Sequence, residues 1–229
     1  MEITFNIVDR VTPLSGYNRK AAFLFQGGLV AIEIFLDVLF VVALFLLLWN
    51  VNIVALNRGV PNIRTAPAIR KKIIALLQEH EAARADRTQP YIIYDIGSGN
   101  GLFSRQIARE MPQAKVIGIE ISGPAYAWSV MMKRRLKLDN LQYKNTDIFK
   151  YDIRDAGAVV LFFYQLDKLG KKLHDELKPG TLVTSNKFRL GDGWNPVQSL
   201  KVFTLYPFQK RLFVYYKTSL QYLMLSGLI

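Results

Sequence analysis

The chain has 229 residues, 51% of them hydrophobic, with 30 Lys and Arg against 18 Asp and Glu, a net charge of +12. That length suits one domain of about 150 to 200 residues plus an appendage. Cysteine is absent, which excludes a disulfide framework and cysteine-based metal or thiol chemistry. The two histidines, His80 and His174, lie far apart in charged helical contexts that read as solvated surface, so a metal site is disfavoured.

The charge is unevenly spread: residues 1–56 carry a net −1, leaving +13 on the remainder. Such a field attracts phosphates, on nucleic acid or on anionic lipid. Beside the apolar segment described next, anionic lipid headgroups are the more natural partner and nucleic acid the less favoured one.

After residues 1–33, the run from Ile34 to Leu56 is long enough to cross a bilayer, which needs about 20 mostly apolar residues. Its uninterrupted core runs from Val38 to Trp49. Glu33 and Asp37 sit one helical turn apart on one face. A carboxylate at the bilayer centre costs roughly 2.5–3.5 kcal/mol, so these two belong at a headgroup boundary or in a helix contact. The reading is a single transmembrane helix over 34–57, ranked ahead of a membrane-surface helix and of a cleaved signal peptide, for which the run lies late. Arg58, Arg64, Arg70, Lys71 and Lys72 crowd the C-terminal flank. Positive charge on that side places the following domain in the cytoplasm, or in the matrix of a mitochondrion.

Gly59 and Pro61 punctuate an arm that runs to Ala66. Ile69, Ile73, Ile74, Leu76 and Leu77 then recur at helical spacing and predict a helix from about Ala68 to Ala85. Arm and helix fill 58–89, and the remaining 90–229 reads as one domain. Strands are expected at Tyr91–Ile96, Val116–Glu120, Leu141–Lys144, Ala158–Phe163 and Thr181–Phe188, with helices at Gly101–Glu110, Pro124–Leu136 and Leu166–Leu177 between them. Leu200–Tyr206 and Leu212–Tyr216 close the pattern as an antiparallel hairpin. The fold class is therefore α/β: a Rossmann-like, mostly parallel seven-stranded sheet with a C-terminal antiparallel hairpin, preceded by a transmembrane helix.

Within this frame Tyr94-Asp95-Ile96-Gly97-Ser98-Gly99-Asn100-Gly101 joins the first strand to a helix. Glycines at such a turn bring backbone N–H groups close to a ligand. The second strand ends in Glu120, an acid spaced to accept two ribose hydroxyls. This pairing fits NAD as well as S-adenosylmethionine (SAM). The dinucleotide fingerprint, however, wants a glycine where this chain has Leu102. The pattern D-x-G-x-G-x-G is instead similar to motif I of class I SAM-dependent methyltransferases, and Asn145-Thr146-Asp147-Ile148 follows the third strand where that family contacts adenine. SAM is the preferred cofactor.

From about Thr65 to Pro196 the chain resembles the membrane-anchored lysine methyltransferases of the mitochondrial adenine nucleotide carrier and the ATP synthase c-subunit, with their prokaryotic relatives. The likeness rests on the apolar anchor and its Thr65-Ala66-Pro67 arm, motif I, and Gly118-Ile119-Glu120-Ile121 with Trp128 and Ser129. It extends to Leu173–Gly180 and to the block from Ser185-Asn186-Lys187-Phe188 through Trp194-Asn195-Pro196. Where the family usually has aspartate this chain has Asn100, which keeps a polar side chain. By this resemblance Asp95, Gly97, Ser98, Gly99 and Gly101 would hold the methionine end of SAM, Glu120 and Ile121 the ribose, and Asp147 and Ile148 the adenine.

The end of the fourth strand faces the methyl group in such folds and lacks the Asn/Asp-Pro-Pro-Tyr signature of adenine and glutamine methylation. Tyr164 and Phe163 are the candidates for lining the acceptor channel there, with Asn186 and Trp194 weaker candidates for the acceptor side. The expected activity is methyl transfer to lysine of a membrane-associated protein. Methylation of a membrane small molecule, quinone or lipid headgroup, and a non-catalytic SAM-binding scaffold are the alternatives.

Overall fold

The computed structural model describes residues 16–56, 64–162, 166–191, 193–205 and 210–218. These fall into two units divided between Ala55 and Leu56. The first holds a single helix, α1 (Gly16–Leu56, 41 residues), which begins 18 residues before the apolar run does. Its stretch Gln26–Leu48, 23 residues with every described side chain exposed, has the length and composition of a membrane span, which a signal sequence shares. Glu33 and Asp37 lie within that stretch.

The second unit is a seven-stranded sheet flanked by helices. Its elements are α2 (Pro67–Ala83), β1 (Ile92–Ile96), α3 (Leu102–Glu110), β2 (Lys115–Glu120), α4 (Gly123–Arg135), β3 (Leu141–Asn145), β4 (Ala158–Leu161), α5 (Leu166–Glu176), β5 (Leu182–Asn186), β6 (Gln198–Lys201) and β7 (Arg211–Tyr216). Strand order is β3-β2-β1-β4-β5-β7-β6. The first five strands are parallel; β7 runs antiparallel to both β5 and β6.

Parallel strands covered on both faces must be apolar on both faces, and β1, β4 and β5 are buried throughout. Alternation along β1 sends Ile93 into one core with Ile69, Ile73, Leu77, Phe103 and Ile107. Ile92, Tyr94 and Ile96 enter the other, with Leu169, Leu173 and Trp194. On α2 the five aliphatic residues at helical spacing are the buried ones. Each is worth about 1.5–3 kcal/mol by removal from water.

Two strands stop earlier than their apolar runs suggest. β4 ends at Leu161, so Phe163 and Tyr164 lie outside the described residues. β5 ends at Asn186 because Lys187 turns the chain with a left-handed φ of 72° and Phe188 leaves the ladder, its carbonyl accepting the Ser185 hydroxyl at 2.6 Å. The hairpin is set at 198–201 and 211–216, and the expected extension of its first arm to Tyr206 ends outside the described residues.

His80 corrects the reading of a solvated surface histidine. It is half-buried between α2 and the sheet, Nδ1 2.7 Å from the Tyr91 hydroxyl and Nε2 3.0 Å from the Gly180 carbonyl. A carbonyl only accepts, so Nε2 carries the proton and Nδ1 accepts from Tyr91.

Candidate active site at the carboxyl ends of the strands

Strand order reverses at β1, with β2 on one side and β4 on the other. In open α/β sheets a crevice forms at the carboxyl ends of the strands at such a switch point. The glycine turn leaves β1 there. Gly97, Gly99 and Gly101 all have left-handed φ values, 72°, 56° and 71°. The turn is pinned by the Gly97 and Ser98 N–H groups donating to the Ile119 carbonyl at 2.9 and 3.0 Å, and by Gly101 N–H donating to the Ser98 carbonyl at 2.9 Å. Asn100 keeps a capping role: its Oδ1 accepts from the Leu102 N–H at 3.3 Å, at the start of α3.

Close packing explains two glycines beyond their torsions. A Cβ on Gly101 would stand 2.2 Å from the Tyr143 hydroxyl oxygen and 2.8 Å from Ser129 Oγ. One on Gly118 would stand 2.6 Å from the Tyr143 ring. Tyr143 itself donates to the Gly101 carbonyl at 3.0 Å, and Ser129 to the Gly99 carbonyl at 3.1 Å. The turn is thus held from behind by β3 and α4.

Two carboxylates flank it. Glu120, at the end of β2, accepts the Gly99 N–H on Oε2 and the Ser122 N–H on Oε1, both at 2.7 Å. A carboxylate offers about four acceptor positions, so each oxygen keeps one for a ligand hydroxyl. Asp95 is buried and accepts the Ser104 hydroxyl at 2.5 Å. Burial pushes its carboxyl up to about 6; the neighbouring Glu120 adds to the rise and the Ser104 hydroxyl opposes it. A buried acid whose donors come from Ser104 is poised to gain from a cationic or N–H-bearing ligand. Ser98 Oγ, within the turn, is buried with no hydrogen-bond partner among the described residues.

Ile121 follows Glu120 at the rim, half-exposed. The neighbouring strand end is tied in through the Thr146 N–H and the Asn145 amide, which donate to the Glu120 carbonyl at 3.2 and 2.8 Å. Beyond it Asp147 caps a single 3-10 turn, Ile148–Lys150, accepting the Phe149 N–H at 3.0 Å, and Ile148 is buried. Asn186 ends β5, fully buried. Trp194 is also buried, its indole N–H donating to the Gly170 carbonyl at 2.9 Å and its ring edge-on to Tyr215. The structure therefore brings Asp95, the glycine turn, Glu120 and the end of β3 together, and puts Asn186 and Trp194 in the packed region beyond β4.

Sequence reasoning missed Ser104, Ser122 and Tyr143 as supports. Their partners stand 9, 2 and 42 residues away. Ser104, one turn into the helix after the glycines, and Ser122, two residues past Glu120, are local to their partners; Tyr143 is not. Among the described residues no group of three His, Asp or Glu side chains gathers as a metal ion would require.

Comparison with known proteins agrees with this geometry. Residues 95–198 match the family model of the ANTKMT methyltransferase domain. The chain is 28% identical over 146 residues to a protein-lysine N-methyltransferase of Saccharolobus islandicus (strain REY15A), covering 62% of this chain and 87% of that protein. An RNA methyltransferase from Salinibacter ruber, solved with S-adenosyl-L-homocysteine, superposes with a TM-score of 0.58 at 24% identity, over 69% of this chain and 95% of the other. At that identity it speaks for the fold alone. This chain is a SAM-dependent methyltransferase.

As expected of such a methyltransferase, the sheet is the seven-stranded mixed one with an antiparallel C-terminal pair. The cofactor is SAM.

Proposed function

We propose that this methyltransferase modifies lysine side chains of a membrane-associated protein, with residues 34–57 anchoring it in the membrane and residues 90–229 forming the catalytic domain on the cytoplasmic, or matrix, side. The observation that carries the reading is the match of residues 95–198 to the ANTKMT methyltransferase domain, supported by the relative that is itself a protein-lysine N-methyltransferase. The basic flank of the apolar helix and the +13 charge beyond it favour this orientation.

In this reading the turn from Gly97 to Gly101 and Ser98 hold the methionine end of the cofactor, and Asp95 attracts its ammonium group. Glu120 accepts the ribose hydroxyls beside Ile121, and Asp147 with the Ile148 N–H meets the adenine. Bound SAM supplies a methyl group already activated on a sulfonium. What the chain adds is position: the acceptor nitrogen must stand in line behind that methyl group. A lysine must also shed its proton first, which an apolar channel promotes by disfavouring the charged form. Tyr164 and Phe163 are assigned to that channel, with Asn186 and Trp194 supporting its far side.

Incubating the detergent-solubilised protein with radiolabelled SAM and native membranes tests the proposal. Label in a protein band, recovered as methyllysine after acid hydrolysis, is the expected result. Label confined to the lipid extract would assign the enzyme to a membrane small molecule. Cofactor binding without any transfer would leave a scaffold.

A further inference from the structure

The β6–β7 hairpin carries a surface that the cofactor chemistry does not use. Because β7 is antiparallel to β5, with Asn186 opposite Leu212, the Arg211 end of β7 and the Lys201 end of β6 lie at the carboxyl rim of the parallel strands. That is the rim at which the glycine turn and Glu120 emerge. Leu200 and Val202 face the core, so strand alternation turns Lys201 and Phe203 outward.

The composition of this tip is unlike ordinary surface. Phe203 and Leu205 are each 91% exposed. Lys201, Lys210 and Arg211 are exposed beside them, and none enters an ion pair among the described residues. Lys201 and Arg211 are direct cross-strand partners. Like charges opposite one another destabilise a sheet, so an anion is needed to turn the pair favourable. From Lys187 to Leu212 the chain holds five basic residues and one acid, Asp192. Three of these cations and Phe203 line a cleft of about 550 Å³ formed by Lys201, Val202, Phe203, Thr204, Lys210 and Arg211.

We infer that this tip docks on the surface of an anionic membrane, Phe203 and Leu205 entering the interface and Lys201, Lys210 and Arg211 meeting lipid phosphates. An apolar pair ringed by cations is the chemistry of an interfacial contact. A protein surface would satisfy the cations equally but would not favour apolar side chains as exposed as Phe203 and Leu205, the two of this tip among the described residues. The consequence is orientation: the rim holding the cofactor site faces the bilayer, where a membrane-embedded lysine emerges. This inference rests on the proposed membrane location and adds a second, independent contact to it.

The chain has no cysteine, so single-cysteine labelling is clean. Phe203→Cys and, as a control at the opposite rim, Gln113→Cys carry an environment-sensitive fluorophore in full-length protein reconstituted into vesicles with lipid-borne quencher. The expected result is quenching at 203 well above that at 113 in phosphatidylglycerol-containing vesicles, weakened in pure phosphatidylcholine. Equal quenching at both positions, or no dependence on phosphatidylglycerol, overturns the inference.

The Lys201→Glu/Arg211→Glu double variant gives a second readout. Transfer to a vesicle-embedded acceptor should fall by about 25-fold or more, given roughly fivefold for each of the two cations at an anionic surface, while SAM binding stays unchanged. An equal loss in lipid-free detergent would show that the tip contacts the protein acceptor instead. Transfer of label to protein by the unmodified enzyme is read separately, so failure of the docking surface leaves the lysine assignment standing.

Discussion

The Gly99 amide and the Glu120 carboxylate, 2.7 Å apart, make the glycine turn and the end of β2 one hydrogen-bonded unit. The acid that is placed to receive a ligand is also the acid that fixes the loop. Glu120→Gln keeps the size but turns an amide NH2 toward one of two backbone donors. A buried donor left facing a donor costs about 1–3 kcal/mol, or on the order of 10- to 100-fold in affinity where the cofactor complex bears it. Calorimetric titration with S-adenosylhomocysteine should show that loss, and label transfer should fall with it. Unchanged affinity would sink the assignment of Glu120.

Gly101→Ala meets both a left-handed φ of 71° and the Tyr143 hydroxyl. Overpacking of this kind costs about 1–3 kcal/mol, seen as a lower unfolding temperature. Gly123→Ala is the contrast: it opens α4, and nothing lies within 4 Å of the added Cβ. That variant should be neutral or slightly stabilising, since alanine is the better helix former. Comparable losses in the two would refute the packing argument.

Asp95 makes folding pH-dependent. Its carboxyl titrates near 3.8 unfolded and at about 6 folded, so the folded state binds the proton more tightly. Stability therefore falls as pH rises from about 4 to about 6, by on the order of 3 kcal/mol, and is flat above. Asp95→Asn should flatten this slope in denaturation midpoints taken across that range. A cationic ligand reverses the penalty, so cofactor binding should release protons near pH 6. Calorimetry in buffers of differing ionisation enthalpy measures that release; none would remove Asp95 from the ammonium contact.

His80 acts with the opposite sign. Burial lowers its pKa from 6.5, Arg84 adds to the shift and the Gly180 carbonyl opposes it. A depressed histidine contributes stability that is present above its unfolded pKa and lost as pH falls below it. In the Asp95→Asn background, where the other slope is gone, thermal midpoints should drop below about pH 6.5. Adding His80→Phe should remove that drop while lowering the midpoint at neutral pH by the two lost hydrogen bonds, about 1–3 kcal/mol together. Persistence of the drop would place its origin elsewhere.

Much of this was legible in the residues. Continuous apolar runs such as Ala158–Leu161 disclosed strands buried on both faces, and the acids and glycines at 95–101 and 120 disclosed the crevice, because each signal is local. The start of α1 at Gly16 was not legible: residues 16–33 precede the continuous apolar run, and no apolar stripe marks a helix whose described side chains are all exposed. His80 was misread because its partners lie 11 and 100 residues away. Tyr143, packed over Gly101 and Gly118, escaped for the same reason; alternation marks it as inward-facing but not what it touches.

The position of β7 has a bearing on biogenesis. Among the described residues it follows every other strand yet lies inside the sheet, between β5 and β6. The nascent polypeptide delivers α1 first and the strand that joins β6 to the rest long afterwards. Until Arg211–Tyr216 has been synthesised, β5 shows an unpaired edge and β6 has no neighbour to receive it. A ribosome stalled before that point holds a protein with its glycine loop already encoded but its sheet unclosed, a substrate for chaperones rather than an enzyme.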